Sequence, residues 1–345
     1  MILADLSYEE VEKLVAEVGV PSYRAKQLYA HITRFDDYDE MTDLPSAFRE
    51  KLSEKYAARG VATEKKLVSR DGTEKFLYRL SDGNIIEGAF MKQSYGNTLC
   101  VSTQVGCRMG CAFCASGIGG LVRNLTAGEI LSQVLCVNRE AGSSDRKRAV
   151  TNVVLMGSGE PLDNYDEVTK FLRLISSEKG LNMSERNISL STCGLVENVY
   201  RLADDGFTVT LTFSLHASSD EERQKVMPIA NRYSIAEIVK AAKYYFEKTG
   251  RRVIFEYTMI KGVNMNYFDA KRLSEILRGF PCHVNLIMLN PVKEKNLVGC
   301  TKEEGERFMK KLNEFGVSAT IRKSKGSDVG GACGQLRRSY VNGKA

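Results

Sequence analysis

The spacing of apolar positions changes period twice along this chain, and the two changes divide it. Over about the first sixty residues the apolar positions recur at helical intervals. SYEEVEKLVAEVG opens with Ser7 and Glu10 in capping-box spacing and stops at Gly19 before Pro21. A second helix is predicted through SYRAKQLYAHI. A third, with Lys and Arg on its polar side, is predicted through AFREKLSEKYA after Leu44-Pro45-Ser46. From Lys65 the period becomes two: KKLVSRDGTEKFLYRL and YRLSDGNIIEGAFMK alternate about Asp71-Gly72 and Asp82-Gly83, both hairpin signals. Glu87 stands in the last of these strands among Ile85, Ile86, Ala89 and Phe90, and on alternation alone its carboxylate points to solvent.

From about Thr98 onward, strand-like and helix-like runs alternate. LTAGEILSQVLCV begins a helix behind a second capping box, Thr126 with Glu129, and places Cys136 on the apolar face. The buried run VVLM ends in a tight turn, Gly157-Ser158-Gly159. The strands RNISLSTCGLV, TVTLTFSLHAS, RRVIFEYTMIKG, HVNLIMLNPVK and VSATIRKSKG follow, separated by amphipathic segments such as SIAEIVKAAKYYFEKTG. This repeated βα unit predicts the α/β class and an open or partial barrel, with functional residues at the C-terminal ends of the strands. Glu160, Ser191, Ser214, His216 and Asn290 each close an apolar strand. Taken alone, His216 reads as a satisfied core histidine; five polar strand ends on one barrel face read as a site. The glycine turn is not a dinucleotide fingerprint, because Glu160-Pro161 follow it. Backbone donors beside a carboxylate suit the amino group of a ligand instead.

The predicted divisions are a helical module over residues 1–60, a β-hairpin extension over 61–92, a core over 93–326 and a C-terminal loop over 327–345. Nine cysteines, an odd number at irregular spacing, do not read as a disulfide scaffold. Without a signal peptide or a membrane-length apolar run, the expectation is a soluble, cytoplasmic protein with reduced thiols. The net charge of +6 is gathered into runs at Asp145-Arg-Lys-Arg148, Arg251-Arg252, Arg322-Lys-Ser-Lys325 and Arg337-Arg338. Such runs serve a solvated surface or a polyanionic partner. The small N-terminal helical module, likewise, docks nucleic acid or braces the larger domain.

Cysteine spacing narrows the chemistry. Cys107, Cys111 and Cys114 form C-x3-C-x2-C, with Cys100 seven residues upstream. Three closely spaced thiolates can wrap one inorganic cluster, whereas structural zinc needs a further Cys or His pair that does not follow nearby. Three ligands on a four-iron cluster leave one iron open to a substrate or cofactor. Near the C-terminus, Cys333 lies among Gly330, Gly331 and Gly334 with Arg337 and Arg338 behind it, a setting for a reactive thiolate or for a stray surface cysteine.

TLCVSTQVGCRMGCAFCAS, MGSGEPLDN, SLHA, HVNLIMLNP and ACGQL, in this order, resemble the RlmN/Cfr family of radical S-adenosylmethionine (SAM) RNA methyltransferases. QVGCRMGCAFCAS and GLVRNL are nearer its RlmN branch, which methylates adenosine C2, than its Cfr branch, which methylates C8. The resemblance implies a partial (βα)6-type radical SAM barrel with a [4Fe-4S] cluster on Cys107, Cys111 and Cys114. It implies a SAM pocket lined by Gly159, Glu160, Ser191, Ser214, Leu215, His216 and Asn290. It further implies Cys333 as the methyl-carrying cysteine, Cys100 as its resolving partner and Glu87 as proton acceptor. Two SAM molecules per turnover, a covalent RNA adduct and a Cys100 to Cys333 disulfide belong to the same route. The implied partners are 23S rRNA, tRNA and an electron donor such as flavodoxin or ferredoxin; the sequence points to no membrane and to no protein partner beyond the donor.

Overall fold

The structure, a computed structural model, describes residues 1–94, 96–143, 148–290, 297–330, 334–341 and 343. Cys333 and the 145–147 part of one basic run lie outside the described residues.

Three helices, α1 (Tyr8–Val18), α2 (Arg24–Arg34) and α3 (Ser46–Ser53), open the chain. The Ser7 hydroxyl accepts from the Glu10 amide at 3.2 Å while the Glu10 carboxylate accepts from the Ser7 amide at 2.7 Å, so the predicted capping box forms. Gly19 ends α1 at φ 78°, a left-handed position that favours glycine.

Three antiparallel strands follow: β1 (Ala62–Val68), β2 (Glu74–Arg79) and β3 (Ile85–Met91). They are not a detached extension. β3 pairs antiparallel with β4 (Thr98–Cys100), Ala89 opposite Cys100, and β4 is the first strand of the parallel sheet. A small hairpin, β5 (Gln104–Gly106) with β6 (Leu121–Asn124), brackets the cysteine loop, and α4 (Ala127–Glu140) returns the chain to β7 (Asn152–Leu155). The alternation continues through α5 (Tyr165–Ser176), β8 (Ile188–Thr192), α6 (Val196–Asp204), β9 (Thr210–Ser214), α7 (Asp220–Val226), α8 (Ile235–Thr249) and β10 (Val253–Met259). It ends with α9 (Tyr267–Ile276), β11 (Cys282–Met288), α10 (Lys302–Glu314), β12 (Ala319–Ile321) and the C-terminal helix α11 (Gln335–Val341).

One open ten-stranded sheet results, in the order β1-β2-β3-β4-β7-β8-β9-β10-β11-β12. Its parallel part joins seven strands by six crossovers, the α/β plan expected from the alternating runs. In the registers of β8 to β11, Leu190, Leu211, Phe213, Phe255, Tyr257 and Leu286 share one fully buried apolar face, while Ser191, Thr212, Ser214, Glu256 and Asn285 share the other. No helix among the described residues is long and apolar enough to cross a membrane.

The N-terminal helices brace the parallel part through α4. The Asp5 carboxylate accepts from the Gly128 amide at 2.6 Å in the first turn of α4, and Arg139 near its end donates to Asp36 at 2.8 Å and to Glu40. Gly128 lies so close to this segment that a Cβ there would sit 2.6 Å from the Asp5 nitrogen. Gly128→Ala is therefore expected to cost about 1–3 kcal/mol, read as a lower urea midpoint of the full chain. An unchanged midpoint would show that this junction tolerates separation.

Candidate active site

The cysteine loop leaves the sheet where β5 ends. Gly106 takes φ 79°, and a Cβ there would overlap the Gly120 carbonyl oxygen, so only glycine lets the two ends of the loop close. The Cys107 amide donates to the Gly120 carbonyl at 3.0 Å, Cys114 to the Cys111 carbonyl at 3.2 Å, and Ala112 to the Val226 carbonyl of α7 at 2.8 Å. These bonds turn the loop back on itself at the mouth of the sheet. Cys107, Cys111 and Cys114 line one cavity of about 350 Å³. Burial pushes the Cys107 thiol up to about 12, reinforced by Glu160 and Cys114, and burial with the neighbouring thiols pushes Cys111 up as well. Thiols crowded this way resist ionising until a metal takes their charge. Among the described residues no three His, Cys, Asp or Glu side chains are arranged around a single metal ion. The donor set, three soft sulfurs lining one hollow, fits an iron-sulfur cluster.

The same cavity gathers most of the strand-end residues. Gly159, Glu160, Ser191, Ser214, His216 and Asn290 all line it. Gly159 adopts φ 112° and packs so tightly on Thr103 and Gln104 that a Cβ has no room. Glu160 is buried, which raises its affinity for a proton, and its carboxylate accepts from the Leu162 amide at 3.0 Å and the Cys193 amide at 2.7 Å. Leu215 does not line the cavity; its side chain is in the core, and its carbonyl accepts from Arg223 at 3.1 Å. His216 is buried at φ 58°, its Nδ1 accepts from the Thr258 amide at 2.9 Å, and its ring meets Phe113 edge-on at 4.6 Å. Burial, and then Arg223, lower its pKa to about 3, so the ring is neutral.

Cys100 and Glu87 approach from the antiparallel side. In the β2–β3 register Lys75 pairs with Ala89 and Leu77 with Glu87, and in the next ladder Ala89 pairs with Cys100. Lys75, Glu87, Ala89 and Cys100 therefore share one face, and all line the cavity. Simple alternation misplaced Glu87: its carboxylate is buried, because the face it shares is closed over by the cysteine loop and the chain's end. Lys75 donates to it at 3.0 Å. On its other side it receives the Gly334 amide at 2.5 Å and the Arg337 amide at 2.9 Å, so it anchors the start of α11.

Sequence reasoning passed over three residues here. Lys75 was legible in principle, since a hairpin centred on Asp82-Gly83 puts it diagonal to Glu87. Arg223, fully buried on α7, donates to the carbonyls of Cys193 at 2.7 Å, Leu215 and Ser214, and nothing in DEERQKV separates it from a surface cation. Glu256, a buried carboxylate on β10, accepts from Asn285 at 3.2 Å and Arg322 at 3.4 Å. Of the basic runs, Arg322-Lys-Ser-Lys325 borders the cavity, while Arg251 and Arg252 hold neighbouring strands at Thr210 and the Cys282 carbonyl.

An open parallel sheet with a three-cysteine loop at its mouth defines a radical SAM enzyme, and the profile of the Radical SAM superfamily matches residues 101–271. The profile of the ribosomal RNA large subunit methyltransferase N-terminal domain matches residues 1–57. A Clostridium perfringens protein described as a "Probable dual-specificity RNA methyltransferase RlmN" is 50% identical, over 99% of this chain and 98% of its own length. A Lachnoclostridium phytofermentans protein with the same description is 47% identical, over 98% and 94%. The crystal structure of a radical SAM methyltransferase from Sphaerobacter thermophilus superposes with a TM-score of 0.92 at 43% identity, covering 97% of this chain and 98% of that one. The chain belongs to the RlmN family of radical SAM RNA methyltransferases.

The neutral, buried His216 predicts an acid dependence. Its folded pKa lies below its unfolded one, so its contribution to stability is complete above about pH 6.5 and is lost as pH falls toward about 3. His216→Asn, a residue that tolerates the left-handed backbone, is expected to remove that part of the slope in a urea-midpoint series across pH. An unaltered slope would place the acid sensitivity elsewhere.

Proposed function

We propose that this protein methylates C2 of adenosine in 23S rRNA, at the peptidyl-transferase centre, and in tRNA, just 3' of the anticodon. The observation that carries this reading is the convergence of Glu87, Cys100 and the three loop cysteines on one cavity, with the residue after Cys333 bonded to Glu87. Its relatives' description as dual-specificity RNA methyltransferases supports the two-RNA range.

Adenine C2, between two ring nitrogens, is electron-poor and does not attack the methyl of SAM directly. Cys107, Cys111 and Cys114 would hold the [4Fe-4S] cluster, and Gly159, Glu160, Ser191, Ser214, His216 and Asn290 would receive SAM. When bound, the cluster and SAM supply one-electron, hydrogen-abstracting chemistry. Cys333 acts first as an ordinary nucleophile, its thiolate taking a methyl group from one SAM. A second SAM is consumed in activating that methyl, so each turnover uses two, in one pocket. Once the carbon joins the ring, RNA and enzyme are linked through the Cys333 sulfur. Glu87, which faces the cavity, takes the proton from C2, a role that requires its carboxylate form. The Cys100 thiolate then attacks the Cys333 sulfur, the bond from that sulfur to the new methylene breaks with its electron pair passing toward the ring, the carbon takes up a proton to become the methyl group, and a Cys100 to Cys333 disulfide remains for reduction. Flavodoxin or ferredoxin fits the electron supply, and the cytoplasm, where the RNAs are, fits the setting. The Arg322-to-Lys325 border presents phosphate-binding charge, so RNA affinity falls with added salt.

Cys100→Ala is expected to accumulate a slow-migrating protein and RNA adduct, and Cys333→Ala to abolish turnover with no adduct. Loss of both species in Cys100→Ala, under conditions where wild type turns over, would overturn the assignment. Mass spectrometry of RNA modified in a deletion background should show 2-methyladenosine; the 8-methyl isomer alone would move the protein to the C8 branch.

A further inference from the structure

Lys75 and Glu87 form an ion pair at 3.0 Å in which each side chain is only 3% exposed. Pairs this dry are poor stabilisers, because the desolvation of two charges offsets their attraction and a well-packed apolar pair does as well. The pair therefore needs a reason other than stability. Its surroundings supply one. Every hydrogen bond that Glu87 receives comes from a donor: the Lys75 ammonium on one oxygen, with the Gly334 amide on the same oxygen and the Arg337 amide on the other. An acceptor met only by donors is matched when ionised and mismatched when it carries a proton. Arg337 lies close as well: its guanidinium Nε donates to the Ile85 carbonyl at 2.5 Å, and its charge and that of Glu87 attract one another without a direct ion pair among the described contacts. The charged and titratable groups sharing this part of the cavity are Lys75 on β2, Arg337 on α11, Cys100 on β4 and Arg322, Lys323 and Lys325 at the border; the cluster cysteines, Glu160, His216 and Glu256 complete the lining. Behind the carboxylate, Leu336 packs with Leu77 and Ile85, and Tyr340 donates to Glu64, so α11 is docked on the same hairpin.

We propose that Lys75 is a positioning residue for the methyl transfer, its ammonium holding Glu87 as a carboxylate that both accepts the substrate proton and docks the helix following Cys333. The proposal rests on Glu87 being the proton acceptor. The base and the carrier segment are thereby set by one charge. Arrival of the proton turns a matched anchor into a mismatched one, which loosens α11 at the stage when Cys100 must reach the Cys333 sulfur.

The test uses the full chain with its cluster reconstituted, in Lys75→Met, Lys75→Arg and Glu87→Gln forms. Two quantities are measured: the pH profile of single-turnover methylation, and amide exchange of residues 334–341 without RNA. Loss of the ammonium leaves a buried carboxylate that binds its proton more tightly, so Lys75→Met should move the acid limb upward by about one pH unit or more. It should also speed exchange in α11, while Lys75→Arg keeps both close to wild type. A Lys75→Met enzyme with the wild-type acid limb and wild-type exchange overturns the proposal. Should Lys75→Met fail to fold, the Lys75→Met/Glu87→Gln double variant decides: recovery of the fold supports a role exerted through Glu87, and equal instability refutes it. Wild-type turnover by Glu87→Gln would remove the base assignment, leaving exchange to judge the hold on α11 separately.

Discussion

Three residue pairs, Met91 with Thr98, Phe90 with Leu99 and Ala89 with Cys100, splice the antiparallel hairpins onto the parallel sheet. The active-site cavity depends on this short ladder. Because side chains alternate across a strand, the register that puts Ala89 opposite Cys100 also puts Glu87 and Lys75 on the face carrying Cys100, and a slip of one residue would turn them all away. Ser102 reinforces the register from the next position, its hydroxyl donating to the Glu87 carbonyl at 2.7 Å. The parallel strands then bring their own ends to the same hollow, so residues more than two hundred positions apart share one lining.

Around that hollow the structure meets buried polar groups with backbone rather than with opposite charges. Glu160 is held by amides of Leu162 and Cys193, His216 by the Thr258 amide, and Arg223 by carbonyls from two strand ends. Strand and helix termini expose unpaired donors and acceptors, and side chains that satisfy them fix the loops on which the site is built. Two carboxylates are met by cations instead: Glu256 by Arg322 at the cavity border, and Glu87 by Lys75 in a direct ion pair away from water. Backbone clamps on one side and an ion pair that anchors the start of α11 on the other give the cavity two differently built ends.

The N-terminal module shows how one surface can be committed before any partner arrives. Its contacts with α4, through Asp5, Asp36 and Glu40, use acidic groups against the amide of Gly128 and the guanidinium of Arg139. Bracing, one of the two roles left open by the sequence, thus has its contacts in the structure.

What the sequence determined alone was whatever depends on near neighbours. Capping boxes at Ser7, Thr126 and Ser234 formed because both partners lie within one helical turn. The hairpin turns, the βα alternation and the clustering of Cys107, Cys111 and Cys114 likewise follow from local period and spacing. The polar strand ends were legible because a parallel sheet has one rule for where its loops gather. Tertiary structure decided the rest: that Glu87 is buried instead of solvated, that Lys75 is its partner, that Leu215 faces the core, and that Arg223 is the largest fully buried side chain. Period two cannot say which face of a strand is covered, since covering is done by segments distant in sequence, here the cysteine loop and the helix after residue 333. Burial of charge is a property of the assembled neighbourhood, and no single stretch of this chain contains it.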